Sequence, residues 1–192
     1  MRKKIIAGNW KMHKTVNEAV ELAEDIVMET NGTLNEVVVF PPFTALETVA
    51  DAIDGKHVGY GAQDLHWEDK GAFTGAVSGA MIADICAEYV LVGHSERRTI
   101  FGENEKIIAS KMIAAYRNGL KPMLCVGENL EEREAGKTAR KISMQLKSAL
   151  RVISPEDAEN LVVAYEPIWA IGSGKAATAE DAQEVCRLIR EK

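Results

Sequence analysis

The sequence has no apolar run long enough to span a membrane, so it predicts no transmembrane helix. It begins with basic and then apolar residues, but Asn9 and Lys11 interrupt that run too early for a secretory signal peptide. We therefore expect a cytoplasmic protein. No linker, low-complexity stretch or charge block divides the chain, and we expect a single domain over residues 1–192.

Cysteine is scarce. The three cysteines, Cys86, Cys125 and Cys186, lie far apart within apolar patterns. They form no C-x-x-C spacing and have no histidine cluster around them, which argues against a disulfide framework and against a zinc site. We expect three buried thiols and no bound metal.

The chain also lacks an excess of positive charge, since 23 Lys and Arg face 29 Asp and Glu, for a net charge of -6. This balance argues against a nucleic-acid partner or an anionic membrane surface, and an anionic substrate must be bound by locally placed cations. With 46% hydrophobic and 27% charged residues, the chain has the composition of a soluble globular protein with one substantial core.

What the sequence does contain is a regular alternation of short apolar runs and longer amphipathic ones, which predicts a parallel sheet covered by helices. The predicted strands are Lys4–Asn9, Glu36–Pro41, His57–Ala62, Tyr89–Gly93, Lys121–Val126 and Leu161–Tyr165. The predicted helices are Val16–Thr30, Thr44–Ala52, Gly79–Ala87, Asn104–Asn118, Thr138–Val152 and Thr178–Glu191.

Polar side chains follow three of the predicted strands. Period-two alternation puts Asn9 and Lys11 in the row of the first strand, His94 and Glu96 in that of the fourth, and Glu166 at the end of the sixth. Because parallel strands all point the same way, we expect these groups to meet at the rim where the carboxyl ends of the strands lie. Buried titratable groups at such a rim favour a catalytic site.

The segment after Glu166 has the composition of a lid. Pro167 ends the strand, Trp169 needs an apolar surface to cover it, and Gly172 and Gly174 can adopt positive φ and expose amides to an anion. This pattern predicts a base beside a mobile loop. Taken alone, the segment is equally compatible with an ordinary loop that carries a buried tryptophan.

Each candidate also has a plain structural interpretation. Lys11 is compatible with a solvated surface lysine, and His94 with a loop histidine held by a neighbouring carboxylate. Cys125 is interpreted as a packing residue rather than a nucleophile. The acidic stretch around Arg133, with Glu128, Glu131, Glu132 and Glu134, is interpreted as a solvated, ion-paired turn or short helix.

Five segments resemble the triosephosphate isomerase family in the same order along the chain. They are Gly8–Met12, Gly61–Asp64 through Gly71–Gly75, Val92–Arg98, Cys125–Glu128, and Tyr165–Pro167 through Gly174–Lys175. The resemblance implies a TIM (β/α)8-type barrel. It also implies interconversion of dihydroxyacetone phosphate and D-glyceraldehyde 3-phosphate through an enediolate, with no metal and no organic cofactor.

The resemblance assigns roles to the candidate residues. Glu166 is the base that moves a carbon-bound proton, and a neutral His94 donates to the substrate oxygens. Lys11 supplies positive charge, and Asn9 helps to hold the oxygens. Glu96 has a secondary role as a supporting carboxylate near Lys11 and His94. Gly172 offers a lid N–H to the phosphate, and the segment from Gln63 to Thr74 docks into a second subunit of a homodimer.

Two alternatives stay open. The family's fold has eight strand–helix units in about 250 residues, and six are recognisable here, so we expect this chain to be part of a longer one. The first alternative is therefore a non-catalytic folding fragment or assembly module. The second is a barrel enzyme that acts on sugar phosphates through a Schiff base on Lys11, a role that neighbouring acidic groups disfavour.

Overall fold

The computed structural model describes residues 4–159, 161–171 and 174–192, which form an α/β fold with six strands. The strands are β1 (Ile5–Asn9), β2 (Glu36–Phe40), β3 (Val58–Ala62), β4 (Tyr89–Val92), β5 (Lys121–Val126) and β6 (Val162–Tyr165). The helices are α1 (Val16–Glu29), α2 (Phe43–Ala52), α3 (Gly79–Asp84), α4 (Ser95–Thr99), α5 (Glu105–Arg117), α6 (Leu130–Glu134), α7 (Thr138–Leu150), α8 (Pro155–Glu159) and α9 (Ala179–Arg190), with a 3-10 helix at Ile168–Ala170.

The predicted strands are all confirmed to within one residue at either end, and the six predicted helices are present. The largest boundary error is in α3, which ends three residues early, because Cys86 has a φ of 57° that no α-helix can contain. Helices α8 and α9 begin at side-chain caps: the hydroxyl of Ser154 accepts from the Asp157 amide at 3.0 Å, and that of Thr178 accepts from the Asp181 amide at 3.1 Å.

The residues divide into two compact units. The first comprises Met1–Leu91 and Ala114–Pro122. Its strands pair in parallel, β1 with β2, β2 with β3 and β3 with β4, with Ile5 opposite Glu36 and Val37 opposite Val58. Its core is formed by small and β-branched side chains from β2, β3, α1 and α2, namely Ala19, Ala23, Val37, Val39, Ala45, Val49, Ile53 and Val58.

The second unit comprises Val92–Ile113 and Met123–Lys192. Here β5 and β6 pair in parallel, with Met123 opposite Val162 and Val126 opposite Tyr165. Helix α9 contacts both α7 and β6, and α6 contacts the 3-10 helix. The most deeply buried side chains of this unit include Ile108, Met112, Leu124, Ile142 and Leu146.

Strand β6 differs from its prediction. The short apolar, β-branched run Leu161–Tyr165 is typical of a strand buried on both faces and predicts complete burial, but all four residues of β6 are only partly buried. Within the described residues the strand pairs with β5 alone, so fewer neighbours cover it than cover β5, where Pro122–Val126 are buried. The prediction of complete burial for β6 is therefore wrong.

None of the described helices is both long and apolar enough to cross a membrane. Over the same residues, no three His, Cys, Asp or Glu side chains are grouped closely enough to hold a metal ion.

Candidate active site

The centre of the candidate site is a carboxylate–imidazole pair in the second unit. Glu166 follows β6 directly, and its amide continues the ladder by donating to the Val126 carbonyl at 2.8 Å. Its Oε1 lies 2.8 Å from His94 Nε2, while its Oε2 accepts from the Ser95 amide at 2.9 Å. The side chains of His94 and Glu166 are 11% and 14% exposed, so the pair is shielded but not sealed from solvent.

The hydrogen bonds of His94 define its tautomer. The ring Nδ1 accepts from the Glu96 amide at 3.3 Å, so the proton of the neutral ring is on Nε2 and is donated to Glu166. His94 is also the N-cap of α4, and its ring accepts the hydrogen bond from the Glu96 amide in the first turn of that helix. The Glu96 carboxylate lies 3.5 Å from the same Nδ1 and is 41% exposed.

The row predicted from period-two alternation does not continue through the end of β4. The strand ends at Val92, Gly93 has a φ of 74°, and Glu96 lies in α4. Glycine readily adopts this left-handed conformation, so Gly93 turns the chain between the end of β4 and His94. The prediction that His94 and Glu96 extend a straight row is wrong, although His94 does lie beside Glu166.

Sequence reasoning missed Arg98, which fixes this turn. Its Nε donates to the Gly93 carbonyl at 2.6 Å, its Nη2 donates to the Cys125 carbonyl at 3.1 Å, and its Nη1 is paired with Glu105 at 2.5 Å. Arg98 therefore ties the turn before His94 to the end of β5. The signal available was only a second arginine in the His94–Arg98 segment, which does not reveal which carbonyls it contacts.

The chain passes very close to itself at Gly127, just after β5. A Cβ atom at this position would overlap the Glu166 carbonyl oxygen and would contact Ile168 Cγ1 at 3.2 Å. The Gly127 amide donates to the buried Gln145 Oε1 at 3.0 Å, which holds the backbone in place. This close approach requires glycine because it leaves no volume for a side chain.

The cysteine predictions are confirmed only in part. Cys125 is buried, and that burial, with a further contribution from the Glu166 carboxylate, raises the pKa of its thiol well above the usual range. A protonated thiol is a poor nucleophile, in agreement with its interpretation as a packing residue. Cys86 is exposed and Cys186 only partly buried, so the prediction of three buried thiols is wrong for these two.

Two predicted site residues, Asn9 and Lys11, lie in the first unit. Strand β1 ends at Asn9, whose side-chain oxygen accepts from the Lys11 amide at 2.9 Å. Lys11 has a φ of 53°, so the chain is not extended there, and the prediction that Lys11 prolongs the row of β1 is wrong. The side-chain amide of Gln63 donates to the carbonyls of Lys11 (2.9 Å) and Phe40 (2.8 Å) and so holds this turn.

The segment after Glu166 contacts a buried carboxylate that the sequence interpretation placed in solvent. Glu128 is fully buried, and its Oε1 accepts from the Tyr165 hydroxyl at 3.0 Å and from Trp169 Nε1 at 3.1 Å. The interpretation of Glu128 as part of a solvated turn is therefore wrong, whereas the short helix is confirmed as α6. The predicted phosphate ligand Gly172 lies outside the described residues.

The loop predicted to dock into a second subunit carries an aromatic stack. The His66 ring lies 4.2 Å from Trp67 and 4.1 Å from Phe73, measured between ring centroids, and Phe73 is 42% exposed. Arg117 Nη2 donates to Asp69 Oδ1 at 2.8 Å and to the Trp67 carbonyl at 3.0 Å, and these bonds attach the loop to the end of α5. The Arg117 guanidinium is the main cause of a lowered pKa at Asp69.

Parallel strands that alternate with helices, with a carboxylate and an imidazole paired beyond the strand ends, define an α/β enzyme suited to moving protons. The model of the family described as "Triosephosphate isomerase" matches residues 4–192, and the chain belongs to that family.

Proteins named triosephosphate isomerase are identical to this chain at about half of the aligned positions. The relative from Moorella thermoacetica is 52% identical over 191 residues, covering 100% of this chain and 77% of the relative. Those from Acetivibrio thermocellus and Carboxydothermus hydrogenoformans are 51% and 50% identical, covering 99% and 100% of this chain and 76% of each relative. These matches favour the isomerase over the Schiff-base alternative, and nothing in them favours a folding fragment or assembly module.

Proposed function

We propose that the protein interconverts dihydroxyacetone phosphate and D-glyceraldehyde 3-phosphate by proton transfer through an enediolate. The observation that carries this proposal is the pair formed by Glu166 Oε1 and His94 Nε2, 2.8 Å apart. A base and a neutral hydrogen-bond donor side by side are what an aldose–ketose isomerisation needs, since one carbon loses a proton while the neighbouring oxygen gains negative charge.

Glu166 acts as the base. Its carboxylate takes the proton from carbon 1 of dihydroxyacetone phosphate, the electrons of that C–H bond form the carbon–carbon double bond, and the carbonyl π electrons move to oxygen. A proton then moves from the oxygen on carbon 1 to the oxygen on carbon 2, and return of the carbon-bound proton from Glu166 to carbon 2 gives the aldehyde and leaves Glu166 a carboxylate again. The Ser95 amide, 2.9 Å from Oε2, supports the orientation in which Oε1 carries the proton.

His94 stabilises the enediolate. Its Nε2–H donates to Glu166 in this structure. When carbon 1 of the substrate lies beside the carboxylate, the same N–H donates to a substrate oxygen instead. A neutral imidazole suits this task because it donates its N–H to the oxygen on which negative charge develops.

For the remaining candidates we propose the roles that the family resemblance gives. Lys11 supplies positive charge to a phosphorylated triose, Asn9 donates to its oxygens, and Glu96 has a supporting role through its approach to His94 Nδ1. Gly172 binds the phosphate through its amide. No metal and no organic cofactor takes part in this scheme.

The decisive experiment follows exchange of the proton on the carbon next to the carbonyl in deuterated water. Wild-type protein should incorporate deuterium and interconvert the two trioses. Glu166→Gln should lower both rates by about 10²–10⁴, the usual contribution of a general base. Glu184→Gln, on the exposed side of α9, serves as the control and should leave both rates unchanged. Retained exchange in Glu166→Gln would refute the proposal.

We also propose that the six strand–helix units correspond to six of the eight units of a TIM (β/α)8-type barrel and fold as a single domain over residues 1–192. The parallel pairing of each successive pair of strands from β1 through β4, and of β5 with β6, supports this assignment. Coincident urea transitions followed by tryptophan fluorescence and by circular dichroism would support one cooperative domain. Two separated transitions would contradict it.

We further propose a cytoplasmic homodimer that uses the loop from Gln63 to Thr74. The stacked His66, Trp67 and Phe73 side chains support this, because they place a preformed aromatic surface on that loop. The three free thiols suit a reducing compartment. Sedimentation should give twice the chain mass for wild type and a monomer for Phe73→Asp, and a wild-type monomer would refute the dimer.

A further inference from the structure

One polar side chain lies on the core-facing side of α7. The buried residues of this helix are Ile142, Gln145, Leu146 and Ala149, which share one face because they are spaced three or four positions apart. Gln145 is 1% exposed, and the other buried residues of that face are apolar. A buried amide costs free energy unless it is hydrogen-bonded, so a glutamine at this position needs a polar partner in the core.

The partner of Gln145 is the backbone at the end of β5. Its Oε1 accepts from the Gly127 amide at 3.0 Å. The carbonyl of the same peptide group belongs to Val126, and it accepts from the Glu166 amide at 2.8 Å. A single peptide group therefore has the side chain of Gln145 at its N–H end and the backbone of the proposed base at its C=O end.

This peptide group can transmit orientation because it is planar and trans. Its N–H and C=O point in opposite directions within one plane. A rotation of the plane that breaks the hydrogen bond to Gln145 therefore also tilts the Val126 carbonyl away from the Glu166 amide. Hydrogen bonds in series also polarise one another, so the loss of the first weakens the second.

Packing couples the same two segments a second time. A Cβ atom at Gly127 would overlap the Glu166 carbonyl oxygen and would lie 3.2 Å from Ile168 Cγ1, so the backbone of the base lies directly on Gly127. In a close-packed interior a shift of one segment is passed to the segment that it contacts. A displacement of Gly127 thus reaches Glu166 through a van der Waals contact as well as through the peptide group.

The carboxylate of Glu166 is sensitive to such a displacement. Its Oε1 lies 2.8 Å from His94 Nε2, and its Oε2 accepts from the Ser95 amide at 2.9 Å. Both partners belong to the segment after β4 and do not move with the end of β5. A shift of the Glu166 backbone therefore changes both of these distances.

We infer that Gln145 is a positioning residue for Glu166, and that it sets the place of this base relative to His94 through the peptide group between Val126 and Gly127. The inference rests on the proposed function, in which Glu166 takes a proton from carbon. A displaced carboxylate is still a base, but it meets the substrate carbon at the wrong distance. Loss of Gln145 therefore slows proton transfer more than it weakens substrate binding.

The first test is Gln145→Met, which keeps an unbranched side chain of similar length but has no oxygen to accept the Gly127 amide. Under conditions where circular dichroism shows the protein folded, kcat should fall by about tenfold and KM should stay within about twofold of wild type. Ile142→Val is the matched control. It removes one buried methyl group from the same face of α7, and it should leave kcat and KM within about twofold of wild type.

A second substitution keeps the test decisive where the methionine variant does not fold. Gln145→Asn retains an amide, but its side chain is one methylene shorter and cannot reach Gly127 from the same helix position. It should show the same fall in kcat with little change in KM. A wild-type kcat in a folded Gln145→Met or Gln145→Asn variant would overturn the inference, as would an equal loss in Ile142→Val.

A spectroscopic measurement separates this inference from the proposed function. The proton on His94 Nε2 is donated to Glu166, and its resonance can be assigned by its absence in His94→Asn. It should shift in both Gln145 variants but not in Ile142→Val, and an unshifted resonance would overturn the inference even in an active enzyme. If wild-type protein fails to isomerise triose phosphates, the proposed function fails, while the resonance still reports whether Gln145 sets the position of Glu166.

Discussion

Two carboxylates in the second unit, Glu166 and Glu128, lie just beyond the ends of neighbouring strands, yet their surroundings suit them to different tasks. The Glu166 side chain is 14% exposed, and each of its oxygens accepts one hydrogen bond, from His94 and from the Ser95 amide. Glu128 is fully buried and concentrates the Tyr165, Trp169 and Arg133 donors on a single oxygen. Its Oε2 has no hydrogen-bond partner within the described part of the chain.

The difference teaches what a base needs besides a negative charge. A base must exchange one of its hydrogen bonds for a substrate, and the imidazole partner of Glu166 can turn to a substrate oxygen when that happens. The donors on Glu128 belong to the chain itself, and releasing any of them would leave a buried polar group unpaired. Glu166 is thus arranged for chemistry, while Glu128 holds neighbouring segments together.

The sharpest challenge to this comparison is removal of the imidazole beside Glu166. His94→Asn should lower kcat by about 10²–10³, the usual effect of losing one donor to a developing oxyanion. The free energy of unfolding, measured in urea, should change little, because asparagine can also cap α4 at this position. A loss of activity smaller than about tenfold would mean that Glu166 does not depend on His94 as proposed.

A substitution at Glu128 should have the opposite effect, with a larger loss of stability and a smaller loss of activity. Glu128→Gln keeps an acceptor for Tyr165 and Trp169 but leaves Arg133 without its buried partner charge and buries an N–H₂ group. We expect the free energy of unfolding, measured in urea, to fall by about 1–3 kcal/mol. The loss of kcat should be smaller than in His94→Asn.

The exposed Glu131 in the same helix is the control for this measurement, and Glu131→Gln should be neutral within about 0.5 kcal/mol. Equal destabilisation by both variants would show that helix α6, rather than the buried charge, is responsible.

The smallest expected effect concerns the pH at which Tyr165 stops donating to Glu128. Burial, and after it the charge of Glu128, raises the pKa of the Tyr165 phenol above its ordinary value of about 10. A raised pKa in the folded state contributes stability that is complete below about pH 10 and is lost as the pH rises through the folded value. The stability advantage of wild type over Tyr165→Phe should therefore stay constant up to about pH 10 and shrink as the pH rises further.

That prediction is checked by urea unfolding at closely spaced alkaline pH values. An advantage that stays constant across this range would mean that the phenol is not preferentially protonated in the folded protein, and the hydrogen bond to Glu128 would lose its role in the comparison.

Much of the fold follows from the sequence because its cause is local. The apolar run of each strand and the capping residues Ser154 and Thr178 act over a few neighbouring positions, and the strand boundaries were correct to within one residue. The burial of β6 was not predictable in this way. How many neighbours cover a strand depends on the arrangement of the other strands, which periodicity does not encode.

The candidate site shows the same difference between features with a local cause and features that depend on distant parts of the chain. Period-two alternation correctly predicted Glu166 at the end of its strand. It wrongly extended the strand rows to Lys11, whose own backbone is left-handed, and to His94, which follows the left-handed Gly93. Glu128 was misplaced for a different reason. Its neighbours in the sequence are charged, while the donors that bury it come from Tyr165 and Trp169, about forty positions away along the chain.

The close approach at Gly127 bears on how far this site can be redesigned. Since a Cβ atom there would overlap the Glu166 carbonyl oxygen, even alanine would push away the backbone that carries the base. In a saturation library screened for turnover, position 127 should tolerate no replacement, whereas surface positions in α9 should accept most. The location of the base is thus set by a residue that has no side chain, and engineers who alter the substrate range of this enzyme should leave that gap untouched.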